Sequence, residues 1–191
     1  MFKTRPQKWV AFFSHTGNEI YNVSKALGRY PDAIVTNKKP DDPDINKKII
    51  KCSSKMTWMN NKPNANEYTS VIDDIGRDCI ITLHGWMRIV PPRICKQYKI
   101  YNLHPGLITK YPELKGADPQ AKVANCFDDS KYKRVGCVIH EVNDKVDDGK
   151  VLIERSCANV FPGEANLTKH LHKMATELWV DFLNCYIDAP G

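Results

Sequence analysis

KWVAFFSHTGNEIYNVSKALGRYPDAIVTN, residues 8–37, is the stretch whose reading decides the fold. Lys8 to Ser14 is rich in β-formers and breaks at His15-Thr16-Gly17-Asn18. The segment after the break places Ile20, Val23 and Leu27 at helical spacing, and DAIVTN then reads as a short strand. Strand, glycine-containing turn, helix, strand predicts a βαβ unit, and with it a doubly wound, mostly parallel sheet.

Downstream, residues 37–66 are weakly patterned, with Pro40, Pro43 and Pro63 among many Asn, Asp and Lys. Only IIKCS, residues 49–53, is a candidate strand there; the rest reads as loop or short helix. A helix over Asn66–Ile75 feeds the apolar run Cys79–Leu83, which suits a central parallel strand. PPRICKQY opens a helix with proline in its first turn, KIYNLH is another strand, and Asp118-Pro119 starts a helix reaching Cys126. RVGCVIHEV and KVLIERSCANV are strands joined by NDKVDDG, a hairpin-like connection with Asp-Gly turn chemistry. The final helix is amphipathic, with Leu167, Leu171, Met174, Leu178 and Phe182 along one side. No repeat or low-complexity linker interrupts the chain, so residues 1–191 are expected to form a single domain.

Composition narrows the function classes. At 191 residues the chain can bury one real core, and 42% hydrophobic with 26% charged residues is ordinary for a soluble globular protein. No apolar run approaches the roughly 20 residues of a bilayer span, and the basic then briefly apolar start is too short for a secretory signal. The seven cysteines form no CxxC pair and are odd in number, and Cys79 and Cys137 sit inside predicted strands as small apolar residues do. That usage fits a reducing cytoplasm. The net charge of +6 is spread out, favouring anionic ligands in general. No basic stripe interleaved with aromatics points to polymeric nucleic acid, and no membrane partner is expected.

Four segments carry polar groups that chemistry could use. Asn102 and His104, two apart on a strand, project from the same face, just before Pro105-Gly106 ends it. Ligands of open α/β sheets collect at such strand ends; a histidine can pass a proton near neutral pH and an asparagine amide can donate to an oxyanion. Taken alone, the more ordinary role of the pair is to cap loop backbone. VNDKVDDG, residues 142–149, is a solvated acidic turn or a source of a carboxylate that orients His104; its spacing lacks the alternating ligands of a calcium loop. HGWMRIVPP runs off a strand end and offers extended backbone beside an apolar wall, or is an ordinary connection. FSHTGNEI could hold an anion on a helix N-terminus, but Glu19 sets a negative charge there that suits the helix and not a phosphate.

Together these segments resemble the folate-dependent formyltransferases, most closely the glycinamide ribonucleotide transformylase type. GWMRIVPP is similar to that family's folate-binding strand end, NLHPGLITKYPELKG to its Asn-x-His-Pro motif, and VGCVIHEVNDKVDDGKVLIE to its Gly-x-x-x-His and Val-Asp hairpin. The order and spacing agree from about Lys8 to the last helix. The resemblance implies a Rossmann-like formyltransferase fold: a mostly parallel sheet flanked by helices, with a C-terminal hairpin and a long final helix. It implies 10-formyltetrahydrofolate as co-substrate, no metal, and a small-molecule amine acceptor, a nucleotide among the candidates. Asn102, His104 and Asp147 would be the catalytic residues. Met87, Arg88, Ile89 and Val90 would line the cofactor pocket with Glu141, Val142, Asn143 and Asp144, and Thr16, Gly17, Asn18 and Glu19 would meet the acceptor.

The departures concentrate on the acceptor. The family's phosphate loop reads Ser-Gly-x-Gly-Ser-Asn; here Ser14-His15-Thr16-Gly17-Asn18-Glu19 replaces its asparagine by an acid. Ala175-Thr176 stands where the family's last helix has Glu-His, Thr109 replaces a proline, and Tyr68 lacks a neighbouring Arg. The acceptor therefore stays open: glycinamide ribonucleotide, another amine such as an amino sugar nucleotide or modified nucleotide, or water in a 10-formyltetrahydrofolate hydrolase. Sugar and tRNA formyltransferases usually carry a further C-terminal domain and the hydrolases an N-terminal one, which turns the expectation toward the transformylase type, as monomer or homodimer. A non-catalytic folate-binding module is the competing class.

Overall fold

The computed structural model describes residues 8–52 and 55–187. The opening stretch forms β1 (Lys8–Phe13), α1 (Asn18–Leu27) and β2 (Ala33–Thr36). Along β1 the period of two splits the core. Trp9, Ala11 and Phe13 face α1 and the final helix, while Val10 and Phe12 face the opposite layer. Gly17 supplies the left-handed turn into α1, at φ 74°; a Cβ there would fall 2.2 Å from Ile49 Cδ1.

The chain continues through α2 (Lys47–Cys52), β3 (Met56–Trp58), α3 (Ala65–Ile75), β4 (Cys79–Leu83), α4 (Pro92–Gln97) and β5 (Lys99–His104). It ends with α5 (Pro119–Asn125), β6 (Arg134–Glu141), β7 (Val151–Ala158) and α6 (Glu164–Asn184). The sheet order is β3-β2-β1-β4-β5-β6-β7. Strands β1 to β5 pair in parallel, whereas β6 and β7 are antiparallel additions. Strand order reverses between β1 and β4, which opens a crevice at their carboxyl ends. In register, Phe12 lies opposite Leu83 and Leu83 opposite Asn102, so the ends of β1, β4 and β5 reach one edge together.

Cys79 and Cys137 are buried in strands, and the predicted apolar side of α6 is buried from Leu167 to Phe182. Asn64 caps α3, its side chain accepting from the Asn66 and Glu67 amides. Residues 49–52 correct the strand expected over IIKCS, and Ser53 lies outside the described residues. They belong to helix α2, which Asn46 starts by accepting from the Lys48 amide at 3.0 Å. A two-residue apolar pair fits either period; here Ile49 is buried beside Gly17 and Ile50 faces solvent. The edge strand β3 is instead MTW, residues 56–58, a half-buried segment with no period of its own. The connection between β6 and β7 is also longer than a tight hairpin, running from Val142 to Lys150.

Candidate active site

The end of β5 presents Asn102 and His104 toward the β6–β7 loop, and Asp147 of that loop reaches both. Asp147 Oδ2 lies 3.2 Å from His104 Nδ1, and Oδ1 lies 3.3 Å from His140 Nε2 and 3.5 Å from Asn102 Nδ2. The Asp147 side chain is only 10% exposed. Burial alone would raise its carboxyl. The contacts from His104 and His140, the His104 charge and the Gly116 amide together outweigh that and hold it well below the usual carboxylate range. Gly116 N–H donates to Oδ2 at 2.9 Å from a backbone at φ 81°. Asp147 itself sits in the left-handed region at φ 50°, which aspartate tolerates better than most residues.

The donors and acceptors order the two imidazoles. His104 Nε2 donates to the Leu114 carbonyl at 2.7 Å, while its Nδ1 faces the carboxylate. Both partners only accept, so the ring with hydrogen on both nitrogens satisfies both contacts. His140 Nδ1 donates to the Glu141 carbonyl at 2.8 Å, and its Nε2 faces Asp147 Oδ1 at 3.3 Å with the Asn102 amide 3.4 Å away. His140 lies directly opposite Asn102 in the β5–β6 pairing, which sets the two side chains on one face of the sheet. Both contacts of the Asn102 amide are at the long end of the hydrogen-bond range, so its hydrogens turn to another acceptor at little cost.

A cleft of about 210 Å³ is lined by Pro92, Cys95 and Lys96 of α4, by Glu141 at the end of β6, and by residues 142–144 and 149–150, which flank Asp147 along the chain. The Cys95 thiol sits 3.6 Å from the carbonyls of both Val90 and Asn143 and ties the two walls together. Burial raises that thiol. Of the residues expected to line a cofactor pocket, Glu141, Val142, Asn143 and Asp144 form this cleft. Val90 is buried in the cluster against which Val142 packs. Met87 and Ile89 are exposed to solvent, at 60% and 76%, and do not line the cleft. Arg88 turns away and binds the Asn61 carbonyl and side-chain oxygen. A larger depression of about 600 Å³ along α6 shares no residue with the site.

Thr16, Gly17, Asn18 and Glu19 lie across β4, at the end of β1. Adjacent strands are about 4.8 Å apart, so this segment begins roughly 10 Å from the β5 edge. Ser14 N–H donates to the Gly85 carbonyl at 3.2 Å, and its hydroxyl accepts from the Met87 amide at 3.0 Å. Thr16 Oγ1 accepts from the Asn18 amide, and Asn18 Oδ1 accepts from Asn46 Nδ2 at 2.9 Å. Glu19 Oε2 meets His84 Nδ1 at 2.9 Å.

Sequence reading assigns no role to His84, Cys95, His140 or the backbone groups of Leu114 and Gly116. His140 carries a signal, a polar residue inside an apolar strand; the backbone groups carry none. Among the described residues, no group of three or more His, Cys, Asp or Glu could hold a metal ion, and no helix is long and apolar enough to cross a membrane.

Comparison with known proteins adds a lineage to this geometry. The formyl transferase family model matches residues 16–183. A phosphoribosylglycinamide formyltransferase of Dictyostelium discoideum is 33% identical over 96 residues, covering 47% of this chain and 45% of that protein. The aligned stretch thus spans under half of that relative. Phosphoribosylglycinamide formyltransferase from Anaplasma phagocytophilum superposes with a TM-score of 0.77 at 18% identity, over 94% of this chain and 86% of that one. A formyltetrahydrofolate deformylase from Pseudomonas putida KT2440 superposes at 0.73 and 18% identity, over 96% of this chain and 66% of that one. Both share the Rossmann-like formyltransferase fold, with its mostly parallel sheet, antiparallel edge and long last helix. With the family model matching most of its length, this chain belongs to the formyl transferase family.

Proposed function

We propose that this chain transfers a formyl group from 10-formyltetrahydrofolate to an amine, as a glycinamide ribonucleotide transformylase type whose acceptor-phosphate end is altered. The observation that carries the reading is the convergence of Asn102, His104 and His140 on Asp147, in a loop whose two ends, residues 141–144 and 149–150, line a cleft. The cleft fits part of such a donor: its volume is below the roughly 300–1,000 Å³ of complete small-molecule sites. It takes the flat bicyclic head against Val142 and the carbonyls of 141–144, leaving the remainder over exposed Met87 and Ile89.

When bound, 10-formyltetrahydrofolate supplies the formyl carbon, to which the acceptor nitrogen bonds as the carbon's bond to N10 breaks. Asn102 turns its amide hydrogens from their long contacts to the formyl oxygen as negative charge develops there. His104, with a hydrogen on each ring nitrogen, is the general acid: its Nε2 turns from the Leu114 carbonyl to give a proton to N10, and the neutral ring so formed takes up the proton that the attacking amine loses. Asp147 balances the His104 charge and fixes its ring plane, and His140 holds Asn102 in reach. The hydrophobic wall of Val90 and Val142 excludes water from the same space.

The test is incubation of the purified protein with formyl-labelled 10-formyltetrahydrofolate and glycinamide ribonucleotide or a panel of other amines, following labelled formamide and labelled formate separately. Formamide that depends on an amine supports the reading. Formate alone would move the chain to the hydrolase reaction, and neither product, with the folate bound, would leave a binding module.

A further inference from the structure

The acid at the start of α1 is built into the core. His84 is buried, and its ring lies against Trp179 with centroids 4.8 Å apart and beside Trp9 at 6.5 Å. Its Nε2 is 2.8 Å from Thr82 Oγ1, which in turn accepts from Trp9 Nε1 at 2.8 Å. One assignment of hydrogens satisfies the whole chain: Trp9 N–H donates to Thr82, Thr82 O–H to His84 Nε2, and His84 Nδ1–H to Glu19 Oε2. Moving Glu19 away would strand a donor inside the core, which costs more than a solvated contact returns. A first-turn acid that merely suits the helix dipole needs no such anchor.

The anchored carboxylate lies at the β1–β4 switch point, where ligands of such sheets bind. Glu19 Oε2 is taken by His84, whereas Oε1 has no partner among the described residues and the side chain is 31% exposed. The helix N-terminus therefore carries its own fixed anion, with one oxygen free to accept. Resting on the formyl-transfer reading, we propose that Glu19, positioned by His84, selects an acceptor amine bearing a hydroxyl or ammonium donor where a phosphate monoester would otherwise sit. A phosphate there would meet like charge and find the Asn18 amide already bonded to Thr16.

Calorimetric titration of the full chain, saturated with tetrahydrofolate, compares glycinamide ribonucleotide with the same molecule lacking its phosphate. The wild-type protein should bind the unphosphorylated compound on the order of tenfold more tightly. Glu19→Gln should shrink or reverse that ratio with tetrahydrofolate affinity unchanged. His84→Gln, which releases the carboxylate but keeps its charge, should shift the ratio part-way. Tighter binding of the phosphorylated compound by wild type, binding of neither, or a ratio unmoved in a folded Glu19→Gln protein would overturn the proposal. Absence of formyl transfer is read in the separate turnover assay and bears on the reaction, not on this selectivity.

Discussion

At the β5 side of the carboxyl edge, polar side chains of two strands and one backbone amide converge on one carboxylate; at the β1 side, a single carboxylate is fed from behind by a file of core residues. Asp147 spends both oxygens on partners inside the protein: His104 and the Gly116 amide on one, His140 and Asn102 on the other. Glu19 spends one on His84 and, among the described residues, leaves the other open. The first arrangement orients the proposed acid, and the second presents a charge to whatever enters. A site that hands a group from a constant donor to a particular acceptor needs both kinds of construction, one for the chemistry and one for the choice.

That contrast can be broken experimentally. The largest effect is expected from His104→Ala, which removes the proposed acid and should lower formyl transfer on the order of 10²-fold or more in a steady-state assay, with tetrahydrofolate binding retained. An unchanged rate would remove His104 from the chemistry. Next comes the loop that carries Asp147. A Cβ on Gly149 would lie 1.7 Å from the Glu141 carbonyl oxygen, a clash with backbone that no rotamer relieves. Gly149→Ala should cost about 1–3 kcal/mol by urea denaturation and depress activity with it.

On the β1 side, Thr82→Val leaves the Trp9 N–H and His84 Nε2 without their partner in the core. We expect a loss of about 1–3 kcal/mol and a weakened preference at Glu19, with the His104 chemistry intact. Gly116→Ala is the mildest: a side chain has open space there, but φ 81° remains unfavourable for it. About 1–2 kcal/mol is expected, read as a small fall in melting temperature.

The Asp147 network also sets an acid limit. Its carboxyl titrates below the unfolded value of about 4 in the folded chain, so its contribution to stability is complete above that value and is lost as pH falls toward the folded one. Chemical denaturation as a function of pH should show wild type losing stability below about pH 4 more steeply than Asp147→Asn. Parallel curves would mean the carboxylate is not held as described.

Much of the fold was legible because its strands are short apolar runs punctuated by Gly, Pro and Asp, and because α6 keeps one apolar side over its whole length. What escaped was the β3 edge, where MTW is half-buried and has no alternation, and α2, where Ile49-Ile50 fits either period. In the site, Asn102 and His104 were readable as neighbours on one strand face, and Asp147 through the motif that contains it. The partners that order them were not, because Leu114 and Gly116 act through backbone that any residue carries. Glu19 was conspicuous as an acid at a helix start. Its anchor was invisible, since His84 lies 65 positions away and meets it only when β1 and β4 pair.

The central claim is that the β5 side performs amine formylation with His104 as the acid. It is tested most directly by single-turnover mixing of wild type and His104→Ala with formyl-labelled 10-formyltetrahydrofolate and an acceptor panel, read by mass spectrometry. The account predicts amine-dependent labelled formamide from wild type and its near-complete loss in the variant, with the folate bound by both. Equal product from the two proteins, or none from wild type with any amine while the folate is bound, would contradict it.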